Sequence, residues 1–201
     1  NKFLAHIREV DAIAHVVRCF KDDNIAHVSS IINPINDIET VTTELQLADI
    51  EILQSKQASL EKKSKQGNRE IKHQLSLIEQ MLENLNQEYQ FKKNQFNADD
   101  LEFFNSLNLI SLKPILYICN VDEKSIIHGN SLSKLVQEKA KKNNHNCVIV
   151  SALIESQFVE LDNDSDRIQL LKELGINETT LKKVITAGYS LLDLINYFTC
   201  V

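Results

Sequence analysis

Glycine is scarce in this chain of 201 residues, and the four that occur, Gly67, Gly129, Gly175 and Gly188, lie far apart. A phosphate-binding loop of the form GxxxxGK[ST] needs two glycines five residues apart, with lysine after the second. No two glycines of the chain have that spacing, and none is followed by lysine. The sequence therefore contains neither this loop nor the GxGxxG loop of dinucleotide-binding proteins.

Cysteine and histidine show none of the spacings that metal sites use. The four cysteines, Cys19, Cys119, Cys147 and Cys200, are scattered without a CxxC pair, and most lie in apolar runs. We interpret them as reduced, buried thiols rather than as disulfides or zinc ligands. The six histidines form no HxxxH or HExxH pair, and no serine lies in a GxSxG elbow. We therefore predict no metal ligands and assign no catalytic residue.

The chain also has no apolar run of 18 residues, the length that predicts a membrane span. Its amphipathic start, NKFLAHIREV, lacks the apolar core that a signal peptide has. The formal net charge of -6 argues against a generally basic nucleic-acid binder, although a local basic patch is compatible with it. We expect no membrane partner and no DNA partner.

What the sequence does contain is an alternation of apolar runs and helical patterns. Strands are predicted over 12–20, 115–119 and 147–150, because these runs are short, apolar and rich in β-branched residues. Helices are predicted over 1–10, 131–143, 154–161, 166–174 and 178–187, and a further short helix, capped by Asp99 or Asp100, is predicted to run through Leu107. The alternation of strand and helix predicts an α/β fold with a doubly wound parallel sheet.

A segment of different periodicity interrupts this alternation. Asn36 or Asp37 is predicted to cap a helix whose apolar residues recur every three or four positions: Ile38, Val41, Leu45, Ala48 and Ile52. A second series with the same spacing follows a turn at Gly67: Ile71, Leu75, Ile78, Leu82, Leu85 and Tyr89. Two such segments joined by a short turn predict an antiparallel α-helical hairpin with a coiled-coil seam.

The predicted tip of this hairpin is basic. It carries Lys62, Lys63, Lys65, Arg69 and Lys72 against two glutamates. One interpretation is a solvated surface. The other is a phosphate contact, most plausibly with RNA.

Polar residues follow two of the predicted strands directly. The run ending at Cys119 is followed by Asn120-Val121-Asp122-Glu123, and the run ending at Val150 is followed by Ser151-Ala152. Parallel strands bring their carboxyl ends to one edge of a sheet, where α/β proteins bind ligands. An asparagine offers a donor and an acceptor, while an ionised glutamate offers acceptors only, which suits a base with an exocyclic amino group.

Several long stretches resemble the YchF, or Obg-like ATPase, family. They are NKFLAHIREVDAIAHVVRCF, DIETVTTELQLADIE, LNLISLKPILYICNVDE, SALIES with ELD, and ITAGYSLLDLINYFT. The resemblance covers essentially the whole chain. It implies a Ras-like G domain with an inserted coiled-coil hairpin and a C-terminal TGS domain. The implied boundaries are 1–35 and 97–190 for the G domain, 36–96 for the hairpin and 191–201 for the start of the TGS domain.

The resemblance also gives the strand-end residues a function. NVDE occupies the base-recognition position where other GTPases carry NKxD, and Glu123 in place of aspartate goes with a preference for ATP over GTP. Asn120 is implied to hold the base edge and the loop. Val121 is implied to pack near the base, and Ser151 and Ala152 are implied to form the second base-side loop through backbone groups.

The implied function is that of a cytoplasmic, ribosome-associated ATPase that uses ATP and Mg²⁺. In the family the phosphate loop, both switch regions and the magnesium ligands precede the part that resembles residues 1–201, so this chain alone is not expected to hydrolyse ATP. The alternative is a non-catalytic coiled-coil module that docks on the ribosome or its RNA.

Overall fold

The computed structural model describes residues 2–22, 24–25, 31–64, 68–86 and 96–199. These residues form two compact units. The sheet unit comprises Asp11–Glu39 and Pro114–Val201, and the helical unit comprises Asn1–Val10 and Thr40–Lys113.

The sheet unit is built on three parallel strands, β1 (Ile13–Arg18), β2 (Ile115–Asn120) and β3 (Asn146–Val150), in the order β1-β2-β3. The last residues of the strands are in register, because Arg18 pairs with Asn120 and Asn120 pairs with Val150. The predicted α/β class with a parallel sheet is confirmed. All three carboxyl ends consequently meet at one edge.

Helices cover both faces of β2, which explains why its run is apolar throughout. On one face, α5 (Ser131–Lys142) packs Val136 and Ala140 against Tyr117 and Cys119. On the other face, α8 (Thr180–Leu191) packs beside a cluster formed by Leu116, Ile118 and Val150. Side chains that alternate along one strand thus belong to two different cores.

Two further helices, α6 (Ala152–Glu160) and α7 (Asp164–Glu173), complete the described part of the sheet unit. Ile154 and Phe158 of α6 lie in a third apolar cluster with Ile126 and Ile176. The Glu155 Oε1 atom accepts hydrogen bonds from the backbone N–H and hydroxyl of Thr180, both at 2.6 Å. A carboxylate at a helix amino end stabilises the otherwise unpaired N–H groups there, so this contact fixes α6 to α8.

The helical unit contains α1 (Lys2–Glu9), most of α2 (Pro34–Ser64), α3 (Arg69–Asn86) and α4 (Ala98–Ser106). Leu53 and Leu60 of α2 lie in one apolar cluster with Ile78 and Met81 of α3 and Phe104 of α4. All five side chains are buried.

A buried ion pair lies within the helical unit. Asp49 is fully buried, and its Oδ1 atom is 2.6 Å from the Arg8 Nη1 atom. The same carboxylate accepts hydrogen bonds from the backbone N–H groups of Ile110 and Ser111, at 3.0 and 2.7 Å. Both oxygens of this buried charge are therefore matched by donors.

The structure corrects two predicted helix starts. Helix α2 begins at Pro34, because the Asn33 side chain accepts hydrogen bonds from the N–H groups of Ile35 and Asn36. Proline is favoured at the first helical position because the N–H that it lacks would have no intrahelical partner there. Helix α4 is capped by Asn97, whose side chain accepts from the N–H of Asp100, and not by Asp99 or Asp100.

The buried face of α2 also differs from the predicted series. Ile38 is buried as expected, but Val41 is exposed, and the buried positions further along are Asp49, Leu53 and Leu60. A buried aspartate cannot be recognised in a pattern of apolar residues. On α3 the prediction fits better, since Ile78 and Leu85 are buried, while the predicted Tyr89 lies outside the described residues.

Among the described residues, no helix has both the length and the apolar character needed to span a membrane.

Candidate functional site

The carboxyl ends of β2 and β3 are joined through Asn120. Its Oδ1 atom accepts a hydrogen bond from the backbone N–H of Ala152, at 3.0 Å. Ala152 is the first residue of α6. The asparagine that ends β2 therefore positions the loop that ends β3, and its amide nitrogen is a second polar group that can donate.

The residues after Asn120 have distinct roles. The Val121 side chain is buried in the core, and its N–H donates to the Val150 carbonyl at 2.9 Å. The Asp122 carboxylate caps a short 3-10 helix (Glu123–Ser125) by accepting from the N–H of Ser125 at 3.1 Å and from its hydroxyl. Asp122 is thus occupied by its own turn, which leaves Glu123 as the acid of the tetrad that this turn does not use.

Glu123 is exposed, and its Oε1 atom accepts a hydrogen bond from the Gln157 Nε2 atom at 3.1 Å. Gln157 lies on α6, so the partner comes from the helix that Asn120 also holds. Gln157 could not be singled out from the sequence, because a glutamine one turn into a helix carries no motif. The Gln157 amide restricts the positions that the Glu123 carboxylate can take.

Ser151 lies at the same edge, immediately before α6. The residue is fully buried, and its hydroxyl has no hydrogen-bond partner among the described residues. It stands at the amino end of α6 but makes no side-chain capping bond. A buried hydroxyl without a partner is costly, so this atom is a candidate contact for a ligand whose binding shifts the loop between β3 and α6 and exposes it.

A groove of about 470 Å³ lies beside Glu123, at the carboxyl ends of β1 and β2. Its lining residues come from three successive segments of the chain: Phe20, Lys21, Asp122, Glu123, Lys124, Asn130, Ser131 and Leu132. Of these, only Glu123 was a predicted site residue, and Asp122 belongs to the same tetrad. The others follow a strand or begin a helix, and only the fold brings them together.

Two side chains organise the segments around this groove. Arg18, the last residue of β1, donates to the carbonyls of Phe20 and Asp22 at 3.2 and 3.0 Å, and its guanidinium lies 4.8 Å from the Phe20 ring centre. Asn130 caps α5 and donates from Nδ2 to the Cys19 carbonyl at 2.7 Å. The amino end of α5 is consequently tied to the end of β1.

The basic residues of the predicted tip belong to the helical unit. Lys62 and Lys63 lie in the last turn of α2, Arg69 begins α3 and Lys72 follows in its first turn. All four side chains are exposed. Lys65 lies outside the described residues.

Within the part of the chain that the structure describes, no group of three or more histidine, cysteine, aspartate or glutamate residues is placed to hold a metal ion. The strand-end site offers hydrogen-bond donors and acceptors in a fixed arrangement. Such a set can recognise the edge of a planar base.

Relatives of the chain match it over nearly its whole length. A protein from Pasteurella multocida (strain Pm70), named ribosome-binding ATPase YchF, is 44% identical over 199 residues, which are 99% of this chain and 54% of that protein. A Bacillus subtilis (strain 168) protein of the same name is 40% identical over 201 residues, covering 99% of this chain and 55% of its own length. The chain belongs to the YchF family.

A solved member of the YchF family has the same fold. The Schizosaccharomyces pombe YchF GTPase superposes with a TM-score of 0.87 at 29% identity, covering all of this chain and 55% of that protein. No model from the scan of protein families matches the chain. This chain spans about half the length of the YchF proteins it matches.

Proposed function

We propose that the full-length protein containing this chain binds ATP, with the adenine held at the strand-end site of Asn120, Glu123 and Ser151. The observation that carries the proposal is Glu123, an exposed carboxylate held by Gln157 where the carboxyl ends of two parallel strands meet. Adenine presents an amino group on the edge where guanine presents a carbonyl. A carboxylate that only accepts hydrogen bonds fits the adenine edge.

Each residue contributes a separate part of this recognition. Asn120 links the two base-side loops through Ala152 and offers its amide to the base. Val121 packs beside the base through its backbone, since its side chain is fixed in the core. The unpartnered Ser151 hydroxyl supplies the remaining polar contact, while the N–H of Ala152 is engaged by Asn120 and serves to hold the loop.

Hydrolysis requires groups outside this chain. We propose that the remaining half of the protein supplies the phosphate loop and the ligands of Mg²⁺, which neutralises charge on the phosphates when bound. Among the described residues, no acidic cluster is placed to hold the ion. ATP hydrolysis in preference to GTP is accordingly proposed for the whole protein.

The test is Glu123→Asp in the full-length protein. The shorter carboxylate withdraws from the adenine amino group and resembles the aspartate that accepts two guanine donors. We expect the ratio of GTP to ATP affinity to rise about tenfold, which corresponds to about 1.4 kcal/mol. Titration calorimetry with both nucleotides measures this ratio.

The matched control is Glu160→Asp, the same change at an exposed position at the end of α6. It should leave both affinities unchanged. An unaltered ratio in Glu123→Asp, with the protein folded and binding nucleotide, would exclude the role assigned to Glu123.

We also propose that residues 36–96 form a coiled-coil hairpin inserted in the G domain, with 1–35 and 97–190 as the parts of that domain and 191–201 as the start of a TGS domain. The shared apolar cluster of α2 and α3 supports the hairpin. The basic residues at the adjoining ends of these helices support contact with ribosomal RNA. The protein would then act in the cytoplasm as a ribosome-associated ATPase.

Replacing Lys62, Lys63, Lys65, Arg69 and Lys72 by alanine tests the RNA contact. Every phosphate contact that the variant removes should reduce the salt dependence of ribosome binding by about one unit of slope. ATP hydrolysis should persist. The control replaces five exposed lysines of the sheet unit instead: Lys134, Lys141, Lys142, Lys172 and Lys182. Equal ribosome binding in both variants would mean that the five basic residues form only a solvated surface.

A further inference from the structure

Three cysteines lie next to one another at the sheet, one on or beside each strand. Cys119 of β2 and Cys147 of β3 have their Sγ atoms 3.4 Å apart, and Cys19 follows β1 directly. Tyr117 pairs with Cys147 across the strands, so Cys119 lies two residues further along β2 on the same face. All three cysteines are free thiols.

The two residues in contact differ in burial. Cys119 is fully buried, whereas Cys147 is partly exposed and lines a groove of about 500 Å³ along β3. Gln137 of α5 and Lys183 of α8 lie on the walls of the same groove. Of the two residues, Cys147 is therefore the one that borders solvent.

The contact also shifts the pKa values of the two thiols in opposite directions. The hydrogen bond to Cys147, together with one to Cys19 and burial, raises the pKa of Cys119. The hydrogen bond from Cys119 lowers the pKa of Cys147 against the opposing effect of burial. The sulfur of the partly exposed residue is thus the better thiolate, and the thiolate is the form that reacts with oxidants.

We propose that Cys147 is a peroxide-sensitive thiol and that Cys119 resolves its oxidised form into a disulfide between β2 and β3. The Cys147 thiolate attacks one oxygen of hydrogen peroxide and becomes a sulfenic acid, while the other oxygen leaves as hydroxide and is protonated to water. The Cys119 sulfur then attacks the Cys147 sulfur, the S–O bond breaks, and the thiol proton leaves with the hydroxyl group as water. Two thiols are oxidised, and one peroxide is reduced to two waters.

The sulfurs begin at 3.4 Å and need to approach to about 2.05 Å. Cys119 pairs with Ile149 and Cys147 with Tyr117, so the two cysteines are diagonal neighbours, and closing the bond requires β2 and β3 to shift as well as the side chains to rotate. The new bond would join β2 one residue before Asn120 to β3 four residues before Ser151. It would therefore link the two strands whose ends form the candidate base site.

The experiment uses the reduced full-length protein, treated with hydrogen peroxide, blocked with N-ethylmaleimide and mapped by peptide mass spectrometry. We expect one linked peptide pair, Cys119 with Cys147, that a dithiol reductant reverses. Cys147 should lose its free thiol at least about tenfold faster than the buried Cys19. This measurement detects the bond itself, so it stands or falls separately from nucleotide binding.

Variants assign the two roles. In Cys119→Ala the sulfenic acid has no resolving thiol, and dimedone should label Cys147. Cys147→Ala should abolish the disulfide, and when it is combined with Cys119→Ala it should also abolish the dimedone label. Cys19→Ala should change neither the disulfide of the native protein nor the label of Cys119→Ala. A link between Cys19 and Cys119, or oxidation of Cys147 that never yields a link in the native protein, would overturn the proposal. The peptide map of the native protein decides the matter even where a variant fails to fold.

Discussion

The two units each bury a polar side chain completely, but in different circumstances. In the helical unit, Asp49 is matched by Arg8 and by two backbone N–H groups. In the sheet unit, the Ser151 hydroxyl has no partner among the described residues. Both side chains are removed from water to the same degree.

On this difference we assign Asp49 a structural role and propose a binding role for Ser151. A buried charge with all its partners present holds a fold together, and removal of one partner leaves the others unpaired. A buried hydroxyl without a partner contributes nothing to the fold through hydrogen bonding. It becomes useful only when a ligand supplies the missing bond.

The largest expected effect follows from removal of the Asp49 carboxylate. Asp49→Ala leaves Arg8 and the N–H groups of Ile110 and Ser111 without their acceptor. We expect the free energy of unfolding to fall by about 3 kcal/mol. Urea denaturation followed by circular dichroism measures this change.

The control for this variant is Glu39→Ala, which removes the exposed partner of Lys139 in an ion pair of 2.8 Å. Solvent screens such a pair, so the loss should stay below about 0.5 kcal/mol. Equal losses in the two variants would mean that the burial of Asp49 confers no special importance.

A smaller effect is expected from two histidines of the sheet unit. Burial lowers the pKa of His15, against an opposing effect of Asp37, and burial also lowers the pKa of His145. The two rings flank Tyr117 at 5.8 and 5.6 Å, and burial raises the pKa of that phenol. The unfolded chain therefore binds more protons at these histidines than the folded chain does, and the free energy of unfolding should decrease as the pH falls below about 6.5.

Unfolding curves at about pH 7.5 and about pH 5.5, on either side of the ordinary histidine pKa, measure this dependence. The double variant His15→Phe, His145→Phe should have a shallower decrease between the two pH values. Substitution of the exposed His6 is the control and should preserve the original slope. An unchanged slope in the double variant would contradict the assignment.

The smallest effect on stability is expected at Ser151. Ser151→Ala removes a hydroxyl that bonds to no described residue, so the free energy of unfolding should change by less than about 1 kcal/mol. The affinity for ATP in the full-length protein should fall about fivefold, because one ligand hydrogen bond is removed. Calorimetric unfolding and nucleotide titration test the two statements. A large loss of stability with unchanged affinity would mean that the Ser151 hydroxyl has a structural role and not a binding role.

Much of the sheet unit could be predicted from sequence, because its signals are local. The buried run of β2 ends at Cys119, one residue before the strand ends, and its apolar character on both faces predicts a central position in a parallel sheet. The predicted starts of α2 and α4 were wrong, since several asparagines and aspartates compete for each cap and only backbone geometry selects Asn33 and Asn97. The buried face of α2 was misread for a related reason, because Asp49 is polar and its partner Arg8 is distant in sequence.

The candidate site shows the same limit. Asn120 and Glu123 were recognisable because they lie at the end of an apolar run and just after it, and the resemblance to a family gave them a role. The contacts of Asn120 with Ala152 and of Glu123 with Gln157 join residues more than thirty positions apart. The sulfur contact between Cys119 and Cys147 has the same origin. Side chains that meet only through tertiary structure leave no trace in spacing.

The separation of the strands in sequence bears on the order of folding. Strand β2 pairs with β3 about 30 residues further on, through α5, whereas β1 pairs with β2 across about 100 residues. Closing the longer loop costs about 1 kcal/mol more in chain entropy. The β2-α5-β3 segment is therefore expected to form first, and β1 to dock last. If the helical unit folds before that step, it shortens the free loop and speeds the final docking.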